Sequence, residues 1–215
     1  MALREEFDQQ GNVLFKYRSY IPLVFIVAGL LVFAYEQKVL GGYTLPFSEL
    51  TLVITSLIVS MVGLLIRILT VGFTPKNTSG RNTGEQLAEQ LNTTGIYSTV
   101  RHPLYVGNYF MWLGAFMLVG NLWFVIALTF VYWVYYERIM YAEEQFLTGK
   151  FQSVYTNWAA GVPAFIPSFK AYKPNKYPFS WKKVLKKEKN GVVAVFIIFY
   201  MFEVLGKWIR SEEIS

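Results

Sequence analysis

Five long apolar stretches constrain this chain more than any other feature of its sequence. They are Ile21–Tyr35, Leu50–Ile66, Leu104–Val119, Leu122–Tyr136 and Val192–Leu205. Each is slightly shorter than the roughly 20 residues that span a bilayer. Flanking Tyr and Trp side chains extend the stretches into the membrane interface, where these residues are enriched. The sequence therefore predicts an all-α integral membrane protein with about five transmembrane helices. For the fifth stretch, Glu203 and Lys207 near its end leave a partly interfacial or re-entrant helix as the alternative.

The composition agrees with this architecture and argues against several kinds of site. Charged residues make up 16% of the chain and hydrophobic residues 54%, whereas soluble domains average about 25% charged residues. With no cysteine and one histidine, we expect no disulfide framework and no metal site. The net charge is +6, and the basic residues lie beside apolar runs. This position favours anionic lipid headgroups over nucleic acid as the partner of the basic residues.

The distribution of Lys and Arg orients the predicted spans. One side of the membrane receives the segments 1–20, 67–103 and 137–190, which hold nearly all of the basic residues. The exceptions are Lys38, Lys207 and Arg210. The N-terminus and both long loops are therefore predicted to be cytoplasmic, and the compact size favours a bacterial cytoplasmic membrane.

The third apolar stretch ends at Val119 and the fourth begins at Leu122, so only Gly120-Asn121 separates them. This spacing predicts a tight helical hairpin formed by the third and fourth spans. A hairpin brings the start of its first helix beside the end of its second. Polar residues from two distant parts of the sequence are therefore predicted to form one cytoplasmic pocket.

The start of this hairpin carries Arg101-His102-Pro103, which includes the only histidine of the chain. Proline is ordinary in the first turn of a helix, so the simplest interpretation is a helix start anchored by an arginine. Tyr105 and Asn108, however, place polar groups in the first turns of a membrane helix. Such groups are costly unless they are paired or face a cavity.

The end of the hairpin has the sequence YYERIMYAEEQFL. Adjacent Glu143 and Glu144 point about 100° apart on a helix, so one of the two is expected to face the pocket fully. The simpler interpretation is a solvated helix end, where acidic residues are common. Residue chemistry leaves both interpretations open.

Two further polar segments flank the hairpin in the sequence. Glu85–Leu91 predicts a short amphipathic helix at the interface or over the pocket, or else part of a polar linker. The neighbouring glycines do not form a dinucleotide-binding fingerprint. The segment WKKVLKKEKN, residues 181–190, predicts a basic surface anchor with Val184 and Leu185 in the membrane. Directly before the basic segment, the prolines of residues 161–180 indicate an extended segment, called the strap below.

The ordered combination TTGIYSTVRHPLYVGNYFMWLG, a hairpin, and EEQFLTGKFQSVYTNWAAGVPAFIP resembles the isoprenylcysteine carboxyl methyltransferase and phospholipid methyltransferase family over residues 80–168. The resemblance implies an integral membrane enzyme that transfers a methyl group from S-adenosylmethionine to a lipid, lipid-linked or amphiphilic acceptor. The predicted organisation is an N-terminal membrane hairpin (1–70), a catalytic core (71–168), and a basic interfacial segment with a C-terminal membrane helix (169–215). Apart from the bilayer and the acceptor, no obligate protein partner is expected.

The resemblance also implies roles for individual residues. Cofactor binding would fall to Glu89, Gln90, Leu91, Asn92, Tyr97, Arg101, His102, Pro103, Leu104, Tyr105 and Glu143. The candidate catalytic residues are His102, Arg138 and Glu144. Arg138 lies close to the position of a substrate-binding arginine in the carboxyl-methylating members, but out of register with it.

The chemistry of the cofactor agrees with these roles. A carboxylate such as Glu143 can pair with its ammonium group or accept hydrogen bonds from its ribose. The faces of Tyr97 and Tyr105 suit the adenine or the sulfonium cation. Arg101 or backbone N–H groups at the helix start can bind its carboxylate.

Two rival functions follow from the same residues. One is an NADPH-dependent membrane reductase of the sterol-reductase type, against which the short chain and the Glu-Glu pair argue. The other is a non-catalytic membrane scaffold or small transporter. In a scaffold or transporter, substitution of His102 or Glu143 would leave function intact.

Overall fold

A computed structural model describes residues 2–42, 47–75 and 88–214, with side chains as far as Ser211. The described residues form seven α-helices and a short 3-10 turn, and they contain no strand. The helices are α1 (Leu3–Tyr17), α2 (Ile21–Val39), α3 (Glu49–Phe73), α4 (Pro103–Met117), α5 (Leu122–Phe151), α6 (Ser153–Ala159) and α7 (Trp181–Ile214). The 3-10 turn is Gly95–Ser98. The predicted all-α class is confirmed.

Four of the described helices are long and apolar enough to cross a membrane, namely α2, α3, α5 and residues Trp181–Ser211 of α7. The prediction of about five spans needs correction at α4. That helix has 15 residues and is therefore about 22 Å long, less than the hydrocarbon core of about 30 Å. It is short because it begins at Pro103 and ends before Gly120, whose φ of 74° turns the chain into α5.

Helix α7 unites two segments that the sequence analysis treats separately, the basic segment 181–190 and the last apolar stretch. Together they form one helix of 34 residues. Val184 is buried, as is Glu188 one turn later, whereas Leu185 is exposed. The prediction that Val184 and Leu185 both face the membrane is therefore wrong for Val184, because this face of α7 packs against the protein.

Helices α3 and α4 approach each other closely along a line of small residues. A Cβ on Gly114 would collide with the Ser60 hydroxyl and the Ser56 carbonyl oxygen. A Cβ on Gly63 would lie 2.5 Å from the Gly107 carbonyl oxygen. Small residues at such positions let membrane helices pack backbone to backbone.

The strap, residues 161–180, contains no helix and lies over the start of α4. The Arg101 N–H donates to the Pro163 carbonyl at 2.9 Å, and the His102 N–H donates to the Ala164 carbonyl at 3.2 Å. Further along the strap, the Gly95 N–H donates to the Lys173 carbonyl at 2.9 Å. The backbone of the Arg-His-Pro element is therefore held in place independently of its side chains.

The conformation of Gly95 shows why a glycine begins the segment Gly95-Ile96-Tyr97. Its φ is 61°, a left-handed conformation that L-residues with a side chain rarely adopt. A Cβ there would also collide with the side-chain oxygen of Asn175 in the strap. The glycine therefore allows the 3-10 turn to carry Tyr97 toward the bundle.

Candidate active site

A cavity of about 500 Å³ lies where α3 and α5 end and where α4 and α7 begin. Its size is typical of small-molecule sites, which measure about 300–1,000 Å³. Its walls include Arg18 after α1, Arg67 of α3, Tyr155 of α6 and Glu188 of α7. The site therefore draws on all three predicted parts of the chain and not on residues 71–168 alone.

Most of the residues predicted to bind a cofactor line this cavity. They are Gln90, Leu91, Asn92, Tyr97, Arg101, His102, Pro103, Leu104, Tyr105 and Glu143. Three predicted site residues do not line it: Glu89, Arg138 and Glu144. The hairpin thus brings together the two polar ends that the sequence predicts to meet.

The His102 cluster, defined here as Arg101, His102, Glu143 and Glu144, lies at the junction of α4 and α5. His102 Nε2 lies 2.9 Å from Glu144 Oε1, and its Nδ1 lies 3.5 Å from Glu143 Oε2. His102 occupies the N-cap position of α4, but its side chain makes no capping hydrogen bond. Its contacts with the carboxylates therefore go beyond an ordinary helix start.

The two glutamates of the cluster have different surroundings. Glu143 lines the cavity, whereas Glu144 lies behind His102 and also approaches Arg101, with Oε2 3.3 Å from Nη1. This agrees with the expectation that one of two adjacent carboxylates faces the pocket. Since the imidazole lies between them, however, both carboxylates contact it.

The environment of His102 changes its protonation. Burial disfavours the imidazolium, but hydrogen bonds to Glu143 and Glu144 and the negative charges of both outweigh this, so the pKa of His102 is raised. The charged form therefore persists to a higher pH than in a free histidine. A charged His102 donates from both ring nitrogens and holds the two carboxylates in position.

His102 and Tyr105 form an aromatic wall of the cavity, and Tyr132 and Tyr136 of α5 pack against Tyr105 without lining the cavity themselves. The rings of His102 and Tyr105 stack with centroids 5.6 Å apart, and those of Tyr132 and Tyr136 stack at 4.1 Å. The Tyr132 hydroxyl donates to the Tyr105 carbonyl oxygen at 2.8 Å. Burial and then the charge of Glu143 raise the pKa of Tyr97, so its hydroxyl keeps its proton.

Sequence reasoning missed a second polar group, the Arg67 cluster, defined here as Arg67, Asn108 and Glu188. Arg67 Nε and Nη2 bind the two oxygens of Glu188 at 2.7 and 2.9 Å. Its Nη1 donates to the side-chain oxygen of Asn108. All three residues line the cavity. The sequence signal for this cluster was an arginine at the end of an apolar stretch. That signal does not identify Glu188 as the partner, because Glu188 lies 121 residues further along the chain.

Arg138 faces another part of the molecule. Its guanidinium lies 3.5 Å from the ring centroid of Phe7 on α1. It also binds Glu137 at 2.9 Å and Gln10 at 3.3 Å. The structure therefore places Arg138 in the α1–α5 contact and outside the cavity.

The loop before the 3-10 turn is partly described. Residues 85–87 of the predicted amphipathic helix lie outside the described residues, and Ala88–Leu91 are not helical. Gln90 lines the cavity and accepts a hydrogen bond from the Tyr177 hydroxyl at 3.0 Å. The strap therefore holds this part of the cavity wall as well as the start of α4.

Comparison with known proteins extends these observations. Residues 42–154 match the family described as phospholipid methyltransferase. A protein-S-isoprenylcysteine O-methyltransferase of Schizosaccharomyces pombe is 40% identical over 36% of this chain and 33% of its own. The enzyme of the same name from Tribolium castaneum is 31% identical over 39% of this chain and 30% of its own.

A third relative is the cobalt-zinc-cadmium resistance protein CzcN of Cupriavidus metallidurans, 32% identical over 39% of this chain and 38% of its own. Each match therefore spans less than half the length of these relatives. No solved structure matches the chain.

The fold and the cavity together define an integral membrane protein with a ligand-sized polar site at one end of a helical bundle. The matched region covers just over half of the chain. The chain belongs to the phospholipid methyltransferase and isoprenylcysteine carboxyl methyltransferase family of integral membrane methyltransferases, which use S-adenosylmethionine.

Proposed function

We propose that this protein transfers a methyl group from S-adenosylmethionine to a lipid, lipid-linked or amphiphilic acceptor. The observation that carries the proposal is the His102 cluster, which presents one buried histidine and one cavity-facing carboxylate beside an aromatic wall. This chemistry suits a cation with an adenine ring. The distribution of basic residues supports a cytoplasmic position for the cavity.

The residues around the cavity fit this cofactor. Glu143 supplies a carboxylate for its ammonium group or ribose hydroxyls. Tyr97 and Tyr105 both line the cavity and offer aromatic faces to the adenine or the sulfonium. Gln90, Leu91 and Asn92 also line the cavity and add two amide side chains and one apolar side chain to its wall.

S-adenosylmethionine, when bound, supplies a methyl group on a sulfonium sulfur that leaves as a neutral thioether. The chain's residues therefore need to orient the methyl group and the acceptor in line and to exclude water. His102 acts here as a positioning residue, because its charged form donates to Glu143 and Glu144 and has no lone pair for a proton.

The architecture also supports an amphiphilic acceptor. The cavity is built at the ends of spanning helices, so a soluble cofactor and a membrane-embedded acceptor can reach it from different directions.

The test is the affinity for S-adenosylmethionine, measured by calorimetry on the purified protein in nanodiscs. We expect binding by the wild type and a loss of about tenfold or more, which is about 1.4 kcal/mol, in His102→Ala and in Glu143→Gln. Glu137→Gln is the matched control, because Glu137 lies on the same helix and its side chain is 46% exposed.

Two results would contradict the proposal. One is the absence of binding by folded wild-type protein, which would direct the next measurement to NADPH. The other is equal loss in the control and in the two site variants. If binding follows the expectation, transfer of radiolabelled methyl groups into vesicles identifies the acceptor, beginning with lipid amines.

A further inference from the structure

Three buried polar atoms on one wall of the cavity have no hydrogen-bond partner within the described part of the chain. They are Arg101 Nε, the Tyr155 hydroxyl oxygen and Trp158 Nε1. All three residues line the cavity. An unsatisfied buried polar group costs about 1–3 kcal/mol, and native proteins leave few of them without a reason.

These atoms share one chemical character. Arg Nε and Trp Nε1 are hydrogen-bond donors only, and a tyrosine hydroxyl donates one hydrogen. Burial and then the charge of Glu144 raise the pKa of Tyr155, so its hydroxyl remains protonated. The wall therefore offers three donors, and a group with several acceptor oxygens would satisfy them.

The geometry keeps these donors together. The rings of Tyr155 and Trp158 lie 5.6 Å apart between centroids on α6, and Tyr155 is 2% exposed. The Arg101 guanidinium lies beside the Tyr155 hydroxyl without forming a hydrogen bond of good geometry. The Arg101 side chain is 20% exposed and its Nη1 pairs with Glu144. Rotation of these side chains at the wall is needed to turn the buried donors toward a ligand.

The hydrogen-bond donors of this wall differ chemically from the groups in the rest of the site. Glu143 supplies negative charge to the cavity, and Tyr97 and Tyr105 supply aromatic faces. The amino acid portion of S-adenosylmethionine carries an ammonium and a carboxylate on one carbon. A carboxylate beside Arg101 would therefore leave the ammonium within the same polar end of the cavity as Glu143.

We propose that Tyr155 and Trp158 of α6, together with Arg101, form the binding site for the carboxylate group of S-adenosylmethionine. This inference rests on the proposed function, since it assumes that the cofactor enters the cavity. It assigns a binding role to Tyr155 and Trp158 of α6, which lie just beyond the region that matches the family.

The experiment compares S-adenosylmethionine with its decarboxylated analogue, which keeps the adenosine, sulfonium and ammonium groups. Calorimetry in nanodiscs gives both dissociation constants for the wild type, Tyr155→Phe and Trp158→Phe. We expect each substitution to weaken binding of S-adenosylmethionine about ten- to a hundredfold, the effect of one hydrogen bond to a charged group. Binding of the decarboxylated analogue should change less than about twofold.

Tyr172→Phe is the control, because Tyr172 lies in the strap and is 53% exposed. Equal weakening of both ligands would overturn the proposal and indicate that α6 shapes the adenosine part or the fold. Unchanged affinity for both ligands would overturn it as well. Failure of the proposed function is distinguishable from either result, because the wild type would then bind neither compound.

Discussion

The His102 cluster and the Arg67 cluster are both polar groups buried at the cavity, but their residues are distributed differently in the sequence. The His102 cluster joins two short motifs across one tight hairpin, and all its members lie in the family-matched region. The Arg67 cluster joins α3 to α7, and Glu188 lies outside that region. A local motif therefore marks the first cluster, while tertiary packing alone assembles the second.

The two clusters also have different physical roles. In the His102 cluster, Glu143 remains turned toward the cavity. In the Arg67 cluster, Glu188 is 3% exposed at its side chain and bidentate with Arg67. We therefore expect the first cluster to determine ligand affinity and the second to determine how α7 is fixed to the bundle.

The largest effect is expected from breaking the ion pair of the Arg67 cluster. Glu188→Ala leaves the Arg67 charge without its bidentate partner, and such changes cost about 3–5 kcal/mol. The double variant Arg67→Met with Glu188→Leu should recover most of the loss, because it removes both charges. The measurement is the unfolding free energy in mixed detergent micelles.

Glu203→Ala provides the control for that experiment on the same helix. Its pair with Lys207 is exposed, at 46% and 69% of the side chains, so its loss should cost less than about 1 kcal/mol. If Glu188→Ala behaves like Glu203→Ala, the Arg67 cluster does not fix α7.

A smaller effect is expected from disturbing the Arg67 cluster without changing any charge. A Cβ on Gly107 would lie 2.6 Å from Arg67 Cγ and 2.9 Å from the Gly63 carbonyl oxygen. Gly107→Ala should therefore destabilise the protein by about 1–3 kcal/mol, as overpacking does. Gly149→Ala is the control, since no described atom lies within 4 Å of its added Cβ.

The His102 cluster should make the stability of the protein depend on pH. The folded-state pKa of His102 is raised above its ordinary value, which is about 6.5. Its contribution to stability is therefore fully present below about pH 6.5 and is lost as pH rises through the folded-state pKa. Thermal midpoints of the ligand-free protein should fall over that range, and His102→Gln should flatten the curve. A curve unchanged by the substitution would count against a charged His102.

The smallest effect is expected at Arg138, which contacts Phe7 and Glu137 outside the cavity. Arg138→Gln should change the affinity for S-adenosylmethionine less than about twofold, because Arg138 does not line the cavity. A tenfold loss would place Arg138 in the site after all. Calorimetry alongside Glu143→Gln makes the comparison direct.

Much of this architecture could be predicted from the residues. Gly120-Asn121 predicts the hairpin, and the hairpin brings His102 to Glu143 and Glu144. The length of α4 could not be predicted in the same way, because Leu104–Val119 is apolar enough to suggest a full span. The helix is limited by Pro103 and by the turn at Gly120.

The remaining cavity residues depend on contacts that no local pattern contains. The sequence WKKVLKKEKN is typical of a surface helix, yet it contributes Glu188 to the site because Val184 packs inward. Tyr155 and Trp158 look like ordinary aromatic residues of a polar segment. Their significance becomes visible only through their unsatisfied polar atoms beside Arg101.

The continuity of α7 has a consequence for dissecting the protein into fragments. A fragment limited to residues 42–154 would contain the family-matched region, but it would lack Glu188, Tyr155 and the strap that binds the backbone of His102. Arg67 would then face lipid or water without its partner. The family-matched region is therefore not an independent module, and a domain exchange in this protein should carry α7 along with it.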